Sequence, residues 1–332
     1  MANHKSSPTP PVVIFIHQRA ELVRGLMERI KIHTPEKMWI IDDGPKSDVG
    51  AEAKDLCIEA RREAEHGVRW PCEVRRIYAD INLGLRVRIE TGLDEVFRVE
   101  EEAILLEEDC HPGPDFFPFC REMLHRYRTN TLVGCVSGNC YLPIKANLDS
   151  SYFYSRYPQI WGWATWARAW NAYDRSRWYW PQGGYEEYFP GSPKEEAEYW
   201  DTLMKRVEKM EIQTWDYPWI SFLFWKKWVC VTPAQNLVKN VGIGPGATHT
   251  LDPKVDPGWA RQERLNPPYR KPAEIHTDQR LDHLVFQNHY RRMSGRRSFW
   301  TRLRKNVCRI LPLLERKQGQ KKVSRCKFRY SS

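Results

Sequence analysis

Short apolar runs alternate with longer amphipathic stretches over residues 11–136, and no other feature constrains the fold as strongly. The first run contains no polar side chain, which is typical of a strand buried on both faces of a sheet. Strands separated by helices predict an α/β fold: a Rossmann-like, mostly parallel sheet flanked by helices. The predicted strands are Pro11–Ile16, Lys37–Ile41, Glu73–Tyr78, Ala103–Leu106 and Leu132–Val136, and the helices are Glu21–Ile32, residues 50–66, Leu85–Phe97 and Asp115–Arg128.

The sequence after residue 150 is richer in aromatic residues. Residues 161–180 hold six of the fifteen tryptophans, which we interpret as core, with a stacking platform for a sugar as the alternative. A helix is predicted over Ser192–Met210, started by a capping box of Ser192 and Glu195. A further strand is predicted near Trp228–Thr232.

Positive charge is concentrated near the C-terminal end. The formal net charge is +10, but residues 291–332 hold 15 Lys and Arg and a single acid, Glu315, so the rest is slightly acidic. We therefore predict a main domain over residues 10–250, a Pro-rich and helical extension over 251–290, and a basic tail over 291–332. A tail of this kind attracts anionic membranes or nucleic acid without sequence specificity.

Cysteine spacing and hydropathy narrow the class of protein. Nine cysteines include no C-x-x-C pair and no Cys/His pair at zinc-module spacing, so reduced thiols and a cytoplasmic location are expected. No apolar stretch approaches the roughly 20 residues that span a bilayer. The motifs of α/β-hydrolases, zinc metalloproteases and P-loop nucleotidases do not occur.

Three polar clusters follow predicted strands, at the edge where α/β sheets bind ligands. They are Asp42-Asp43-Gly44, Asn82-Leu83-Gly84 and Glu107-Glu108-Asp109. Alternation along a strand predicts that Glu107 and Asp109 share a face and that Glu108 points away. Two such carboxylates suit Mg²⁺ or Mn²⁺, whereas the alternative is an exposed acidic turn.

The other two clusters allow a functional and a local interpretation. Asp42 or Asp43 could accept hydrogen bonds from a base or ribose, or could belong to a plain Asp-Gly turn. Asn82 could bind ligand or start a turn. Arg88, in the next helical turn, could neutralise a diphosphate or lie in water.

Two candidates lie in the second half of the chain. Asp216 stands between Trp215 and Tyr217, where aromatic walls would desolvate a carboxylate and make it a better base. The alternative role for Asp216 is a helix cap. His249 follows a glycine-rich stretch and could complete a metal site or be structural.

These segments together resemble the nucleotide-sugar glycosyltransferases of the GT-A fold. The run LLEEDCHPGPDFF is similar to the acidic metal motif and following helix of Golgi N-acetylglucosaminyltransferases, and the order of segments is similar to bacterial haemolysin HlpA-like sugar transferases. The resemblance covers about residues 10–250. The segments that carry it are His17-Gln18-Arg19, Ile41-Asp42-Asp43-Gly44, Asn82-Leu83-Gly84-Leu85, the run from Ile104 to Asp109, and Pro114-Asp115-Phe116-Phe117.

The resemblance implies a reaction and a role for each candidate. A sugar would pass from a UDP-sugar to a hydroxyl of a glycan, lipid or protein acceptor, with inversion and with Mn²⁺ or Mg²⁺ as cofactor. The family commonly has Asp at the position of Glu108. The implied roles are metal binding for Asp109 and His249, nucleotide-sugar binding for Asp42, Asp43, Asn82, Arg88, Glu107 and Glu108, and catalytic base for Asp216.

Two other classes of function stay open. The chain could be a membrane-active, haemolysin-like or carbohydrate-binding protein without catalysis, since the basic tail also carries apolar residues that could lie on an anionic bilayer. Peripheral contact with the inner face of a membrane is also compatible with an enzyme. Nucleic-acid binding through the tail has no recognition module behind it, so no specific nucleic acid is expected.

Overall fold

An eight-stranded sheet with helices on both faces forms the centre of the molecule. We analysed a computed structural model, which describes residues 8–46, 50–143, 148–242 and 262–291. The strand order is β3-β2-β1-β4-β8-β6-β9-β7, and a separate two-stranded ribbon pairs β5 with β10. The strands are β1 (Val12–Ile16), β2 (Lys37–Asp42), β3 (Glu73–Tyr78), β4 (Glu102–Glu107), β5 (Cys110–Pro112), β6 (Val133–Ser137), β7 (Tyr152–Ser155), β8 (Trp163–Trp166), β9 (Val229–Pro233) and β10 (Val238–Asn240).

Helices connect the strands of the first half and cover the sheet in the second. The first four strands in sequence pair in parallel, as βαβ units require. Antiparallel pairs β4–β8, β6–β8 and β7–β9 then make the sheet mixed. The helices are α1 (Ala20–Ile30), α2 (Gly50–Gly67), α3 (Leu85–Phe97), α4 (Phe116–Tyr127), α5 (Ala167–Trp170), α6 (Tyr185–Tyr188), α7 (Lys194–Glu208), α8 (Asp216–Lys226) and α9 (Gln279–Val285).

The central strands are largely apolar because both faces of the sheet are buried. In β1, Val12 and Ile14 join a core layer with α1 and α4, whereas Val13 and Phe15 join a second layer with α3 and α8. All five residues of β1 are buried. The predicted α/β class and the five predicted strands of the first half are confirmed.

The second half of the chain departs from the predictions in the start of one helix and in its strands. The predicted capping box is wrong, because α7 begins at Lys194 and no side chain caps it. Ser192 Oγ instead accepts a hydrogen bond from the Arg156 guanidinium, at 3.3 Å. The strands β7 and β8 were not predicted. Tryptophans of the predicted aromatic core, including Trp163, Trp166 and Trp170, are buried.

The chain divides into two compact units, Met1–Val285 and Phe286–Ser332. In the first unit, residues after 262 pack on the body: Arg264 pairs with Asp115, and a buried Arg156–Asp282 ion pair ties α9 to the residue after β7. Of the second unit, the structure describes a π-helical turn, Phe286–Tyr290, and Arg291. No helix within the described residues combines the length and the apolar character of a membrane span.

Candidate functional site

The candidate residues gather at one edge of the sheet because three parallel strands end side by side there. In the strand register, Ile16 of β1 pairs with Asp42 of β2, and Phe15 pairs with Glu107 of β4. The loops after these strands therefore leave the sheet next to one another. This is the edge at which open α/β sheets bind ligands.

Glu107, Glu108 and Asp109 form the acidic cluster, and an arginine from the loop after β1 bridges two of its members. Arg19 Nε donates to Glu108 Oε1 at 2.5 Å, and its terminal nitrogen donates to Asp109 Oδ2 at 3.0 Å. The main-chain N–H of His17 also donates to Glu108, at 2.8 Å. The expectation that Glu108 points away from Asp109 is wrong, because β4 ends at Glu107 and the chain then turns.

Glu107 is the carboxylate of the acidic cluster whose negative charge is least offset by neighbouring groups. Within the described residues its carboxylate accepts no hydrogen bond, and burial, with the negative charges of Asp109 and Asp216, raises the pKa of Glu107 to about 8. The Arg19 charge acts in the opposite direction. Asp216 therefore lies within electrostatic range of the acidic cluster, although 107 and 216 are remote in sequence.

The local sequence holds Asp216 at the start of α8. Asp216 Oδ1 accepts hydrogen bonds from the Thr214 hydroxyl and, at 2.9 Å, from the N–H of Tyr217. Trp215 is buried and stacks on Trp163, with ring centroids 5.5 Å apart. The predicted aromatic surroundings are therefore present, and they anchor the residue next to the carboxylate.

A short segment of chain covers the acidic cluster. The antiparallel pairing of β5 and β10 brings residues 238–242 alongside it, and the N–H of Val241 donates to the main-chain oxygen of Asp109 at 2.8 Å. A Cβ atom at Gly242 would overlap the Asp109 carboxylate. Glycine at 242 is thus required for this close approach.

Asp43 and Asn82 join the loops that follow β2 and β3. Asp43 Oδ2 accepts from the Asn82 amide at 3.0 Å, and Oδ1 accepts from the Leu83 N–H at 2.7 Å. A Cβ at Gly44 would lie 2.5 Å from the main-chain oxygen of Ala79, so the Asp-Gly sequence permits a close contact between the two loops. This bridge fixes the two polar clusters relative to each other.

Asp42 is fully buried and faces two arginines. Arg61 Nε, from α2, donates to Asp42 Oδ2 at 2.6 Å. Arg88 donates to the Ile77 oxygen at 2.7 Å and lies near enough for its charge to act with Asp42 and Asp43. Burial raises the pKa of Asp42 to about 6, against the lowering effect of Arg61.

The structure brings nearly all the predicted residues to one edge of the sheet. Asp42, Asp43, Asn82 and Arg88 form one side, and the acidic cluster with Asp216 forms the other. His249 lies outside the described residues. The sequence analysis predicted no role for Arg61 and named Arg19 only as part of the segment His17-Gln18-Arg19. The position of Arg19 just after the first strand did indicate a place at this edge of the sheet.

The acidic cluster supplies the type of ligand that a divalent cation prefers. Hard carboxylate oxygens are the ligands that Mg²⁺ and Mn²⁺ prefer. The negative charges of Asp109 and Asp216 both act on Glu107, which accepts no side-chain hydrogen bond from the described residues. Arg19, already shared between Glu108 and Asp109, offsets only part of this charge.

No family model and no curated protein sequence matches the chain. Solved structures show distant likenesses. The mannosyltransferase PcManGT from Pyrobaculum calidifontis, solved with GDP-Man and Mn²⁺, has 12% identity and a TM-score of 0.37 over 67% of this chain and 70% of that chain. A protein described as a nucleotide-diphospho-sugar transferase from Desulfovibrio desulfuricans has 12% identity and a TM-score of 0.27, over 62% of this chain and 76% of that chain. An apo UDP-glucose pyrophosphorylase has 9% identity and a TM-score of 0.33, over 70% of this chain and 93% of that chain.

Proposed function

We propose that the chain is a glycosyltransferase that moves a sugar from a nucleotide-diphosphate donor to a hydroxyl acceptor. The donor we favour is a UDP-sugar, and the acceptor is a glycan, a lipid or a protein. One observation carries the proposal: three consecutive carboxylates, Glu107, Glu108 and Asp109, stand where parallel strands end, and the single charge of Arg19 pairs with two of them. This arrangement supports binding of a divalent cation and a diphosphate.

The acidic cluster would serve the diphosphate side of the donor. Asp109 would hold Mn²⁺ or Mg²⁺, with His249 as a further ligand, and Glu107 and Glu108 would contact the nucleotide-sugar; the bound cation supplies Lewis-acid neutralisation of the departing diphosphate. Arg19 orients Glu108 and Asp109 through its two hydrogen bonds. The Asp43–Asn82 bridge holds the neighbouring loops, where we place the nucleoside together with Asp42 and Arg88.

Asp216 would act on the acceptor. Its carboxylate takes the proton of the acceptor hydroxyl while that oxygen forms a bond to the anomeric carbon and the bond to the diphosphate breaks. Attack from the face opposite the leaving group inverts the anomeric centre. General-base assistance of this kind contributes about 10²–10⁴-fold, and alignment of donor and acceptor contributes further.

Thermal unfolding with nucleotides tests the proposal directly. The full chain is heated with UDP, GDP and their sugars, with and without Mn²⁺. A ligand at 100 times its Kd stabilises the folded state by about 2.7 kcal/mol. We expect a UDP-dependent rise in Tm that requires Mn²⁺ and disappears in Asp109→Asn.

A matched control separates the site from general charge effects. Glu101 is exposed and precedes β4, at the other end of the strand from the cluster. Glu101→Gln should keep the Mn²⁺-dependent rise in Tm. Absence of any nucleotide-induced shift in the wild-type chain, or an equal shift without a divalent cation and in Asp109→Asn, would contradict the proposal.

A further inference from the structure

Three side chains with metal-binding groups meet between the sheet and α2. His17 follows β1, Asp42 ends β2 and Cys57 lies on α2. One ring nitrogen of His17, one carboxylate oxygen of Asp42 and Sγ of Cys57 lie within 4.8 Å of one another. This cluster shares no side chain with the acidic cluster of Glu107 to Asp109.

One atom of this cluster has no hydrogen-bond partner among the described residues. Asp42 is 0% exposed, and its Oδ2 is bound by Arg61. Its Oδ1 is buried and accepts no hydrogen bond from the described residues. Buried polar atoms in native proteins are nearly always paired with protein, water or an ion. The unpaired oxygen belongs to the same carboxylate that joins the His17 and Cys57 ligand atoms.

The spacing agrees with a small coordination sphere. With zinc–ligand bonds of about 2.0–2.3 Å, neighbouring ligands of a tetrahedral site lie roughly 3.5 Å apart. Nδ1 of His17 is 3.9 Å from Sγ of Cys57. Small side-chain movements would therefore close the sphere. Binding through Nδ1 would replace the present contact of this nitrogen with the main-chain oxygen of Asp43.

We propose that His17, Asp42 and Cys57 form a second metal site, for a thiophilic divalent cation of the Zn²⁺ class. A thiolate and an imidazole select such a cation over Mg²⁺ or Mn²⁺. Three protein ligands leave the fourth position for water or for another ligand. Binding releases the Cys57 thiol proton to solvent and leaves the oxidation state of the sulfur unchanged.

Neighbouring residues already support this geometry. Arg61 fixes the Asp42 carboxylate through Oδ2 and also donates to the Ala79 oxygen at 2.8 Å, which leaves Oδ1 for the cation. Such outer hydrogen bonds orient the ligands of known metal sites. Cys57 is 1% exposed, whereas His17 is only half-buried and offers the side from which a cation enters.

Cobalt titration tests the site. The full, reduced and metal-free chain is titrated with Co²⁺, and thiolate-to-cobalt charge-transfer absorption is recorded; Zn²⁺ is then added. We expect one equivalent of Co²⁺ with a thiolate band, displaced by Zn²⁺. Cys57→Ser should abolish the band and weaken Zn²⁺ binding by more than about 100-fold, since loss of an outer-shell partner alone costs about 10–100-fold.

Cys72→Ser is the matched control, because Cys72 is a free thiol outside this cluster. It should keep the band and the Zn²⁺ affinity. His17→Gln, with the fold checked by circular dichroism, should weaken Zn²⁺ binding and shift the cobalt spectrum. No thiolate band in the wild type, or a band that survives in Cys57→Ser, would overturn the site.

The glycosyltransferase proposal shares Asp42 with this site but none of its acidic-cluster carboxylates, so the two proposals can fail separately. Mn²⁺-dependent stabilisation by UDP should be unchanged in Cys57→Ser, because Cys57 lies outside the acidic cluster. Absence of the cobalt band in the wild type, with an intact UDP response, would contradict only the proposed zinc-class site. Loss of the UDP response with an intact band removes only the glycosyltransferase.

Discussion

Asp216 can be tested by a change that removes a charge and preserves the local hydrogen bonds. An asparagine oxygen can still accept from the Thr214 hydroxyl and the Tyr217 N–H. Basicity is lost, so Asp216→Asn should bind UDP-sugar as before, by thermal shift, and should lower transfer by about 10²–10⁴-fold, measured as UDP release with acceptor.

The matched control for this variant is Asp174→Asn. Asp174 is exposed, and its Oδ1 likewise accepts from a hydroxyl and an N–H, both of Ser176. This control should transfer sugar at the wild-type rate. Normal turnover by Asp216→Asn would show that another group is the base.

His33 gives the fold a dependence on pH. Burial, and then the charge of Arg121, lowers the pKa of His33 below its ordinary value. The unfolded chain therefore takes up a proton more readily than the folded chain, so stability should fall as pH decreases from about 7 to 5. His33→Gln should flatten this part of the curve of unfolding free energy against pH. An unchanged slope in His33→Gln would contradict the assignment.

At the level of elements, the first half of the chain was predictable because its signals are local. Strands β1, β2 and β4 are apolar runs, and helices α1 and α3 each bury an apolar face. The strands β7 and β8 were missed because their sequences, Tyr152–Ser155 and Trp163–Trp166, are short and aromatic. They become strands only through pairing with β9 and with β4, which lie far away in the sequence.

The site was predictable only in part, for the same reason. Strand ends placed the three polar clusters at one edge. The pairing of Arg19 with Glu108 spans 89 positions, and no local pattern encodes it. Alternation failed at Glu108 because the chain turns after Glu107. The meeting of Cys57 with His17 depends on how α2 packs, which a polar helix sequence does not specify.

The segment around β10 controls the acidic cluster through Gly242. A Cβ at this position would overlap the Asp109 carboxylate. Gly242→Ala should therefore displace Asp109 and weaken Mn²⁺-dependent UDP binding at least about tenfold, a loss of 1.4 kcal/mol. Calorimetric titration of UDP with Mn²⁺ measures this effect.

Gly183→Ala is the control for the glycine substitution. The nearest atoms to a Cβ there all belong to the Glu187 side chain, and the closest is its flexible carboxylate end, at 2.8 Å. UDP affinity should be unchanged in this variant. Wild-type UDP affinity in Gly242→Ala would show that the segment does not constrain Asp109.

The last described helix of the unit that carries the site is α9, and a buried ion pair anchors it to the rest of that unit. Asp282 of α9 accepts from Ser155 Oγ at 2.6 Å and from Arg156 Nε at 3.0 Å, and both members of the ion pair are buried. Removing one partner of a buried pair leaves the other charge uncompensated, so Asp282→Ala should cost about 3–5 kcal/mol in urea unfolding. Glu198→Ala, which breaks an exposed pair with Lys194, should change stability little. Equal losses in both variants would contradict this role of α9.

The charge distribution of the whole chain separates the glycosyltransferase from a membrane-active protein. Residues 291–332 carry 15 basic residues and one acid, whereas the proposed site lies before residue 250. Each basic residue near an anionic bilayer contributes about 1 kcal/mol, and salt screens this attraction. A chain that ends at residue 290 should lose salt-sensitive binding to phosphatidylglycerol vesicles in a flotation assay and keep the Mn²⁺-dependent UDP response. If vesicle leakage is caused by the full chain and lost on truncation, while no nucleotide shifts Tm in either form, the membrane-active alternative is favoured over the enzyme.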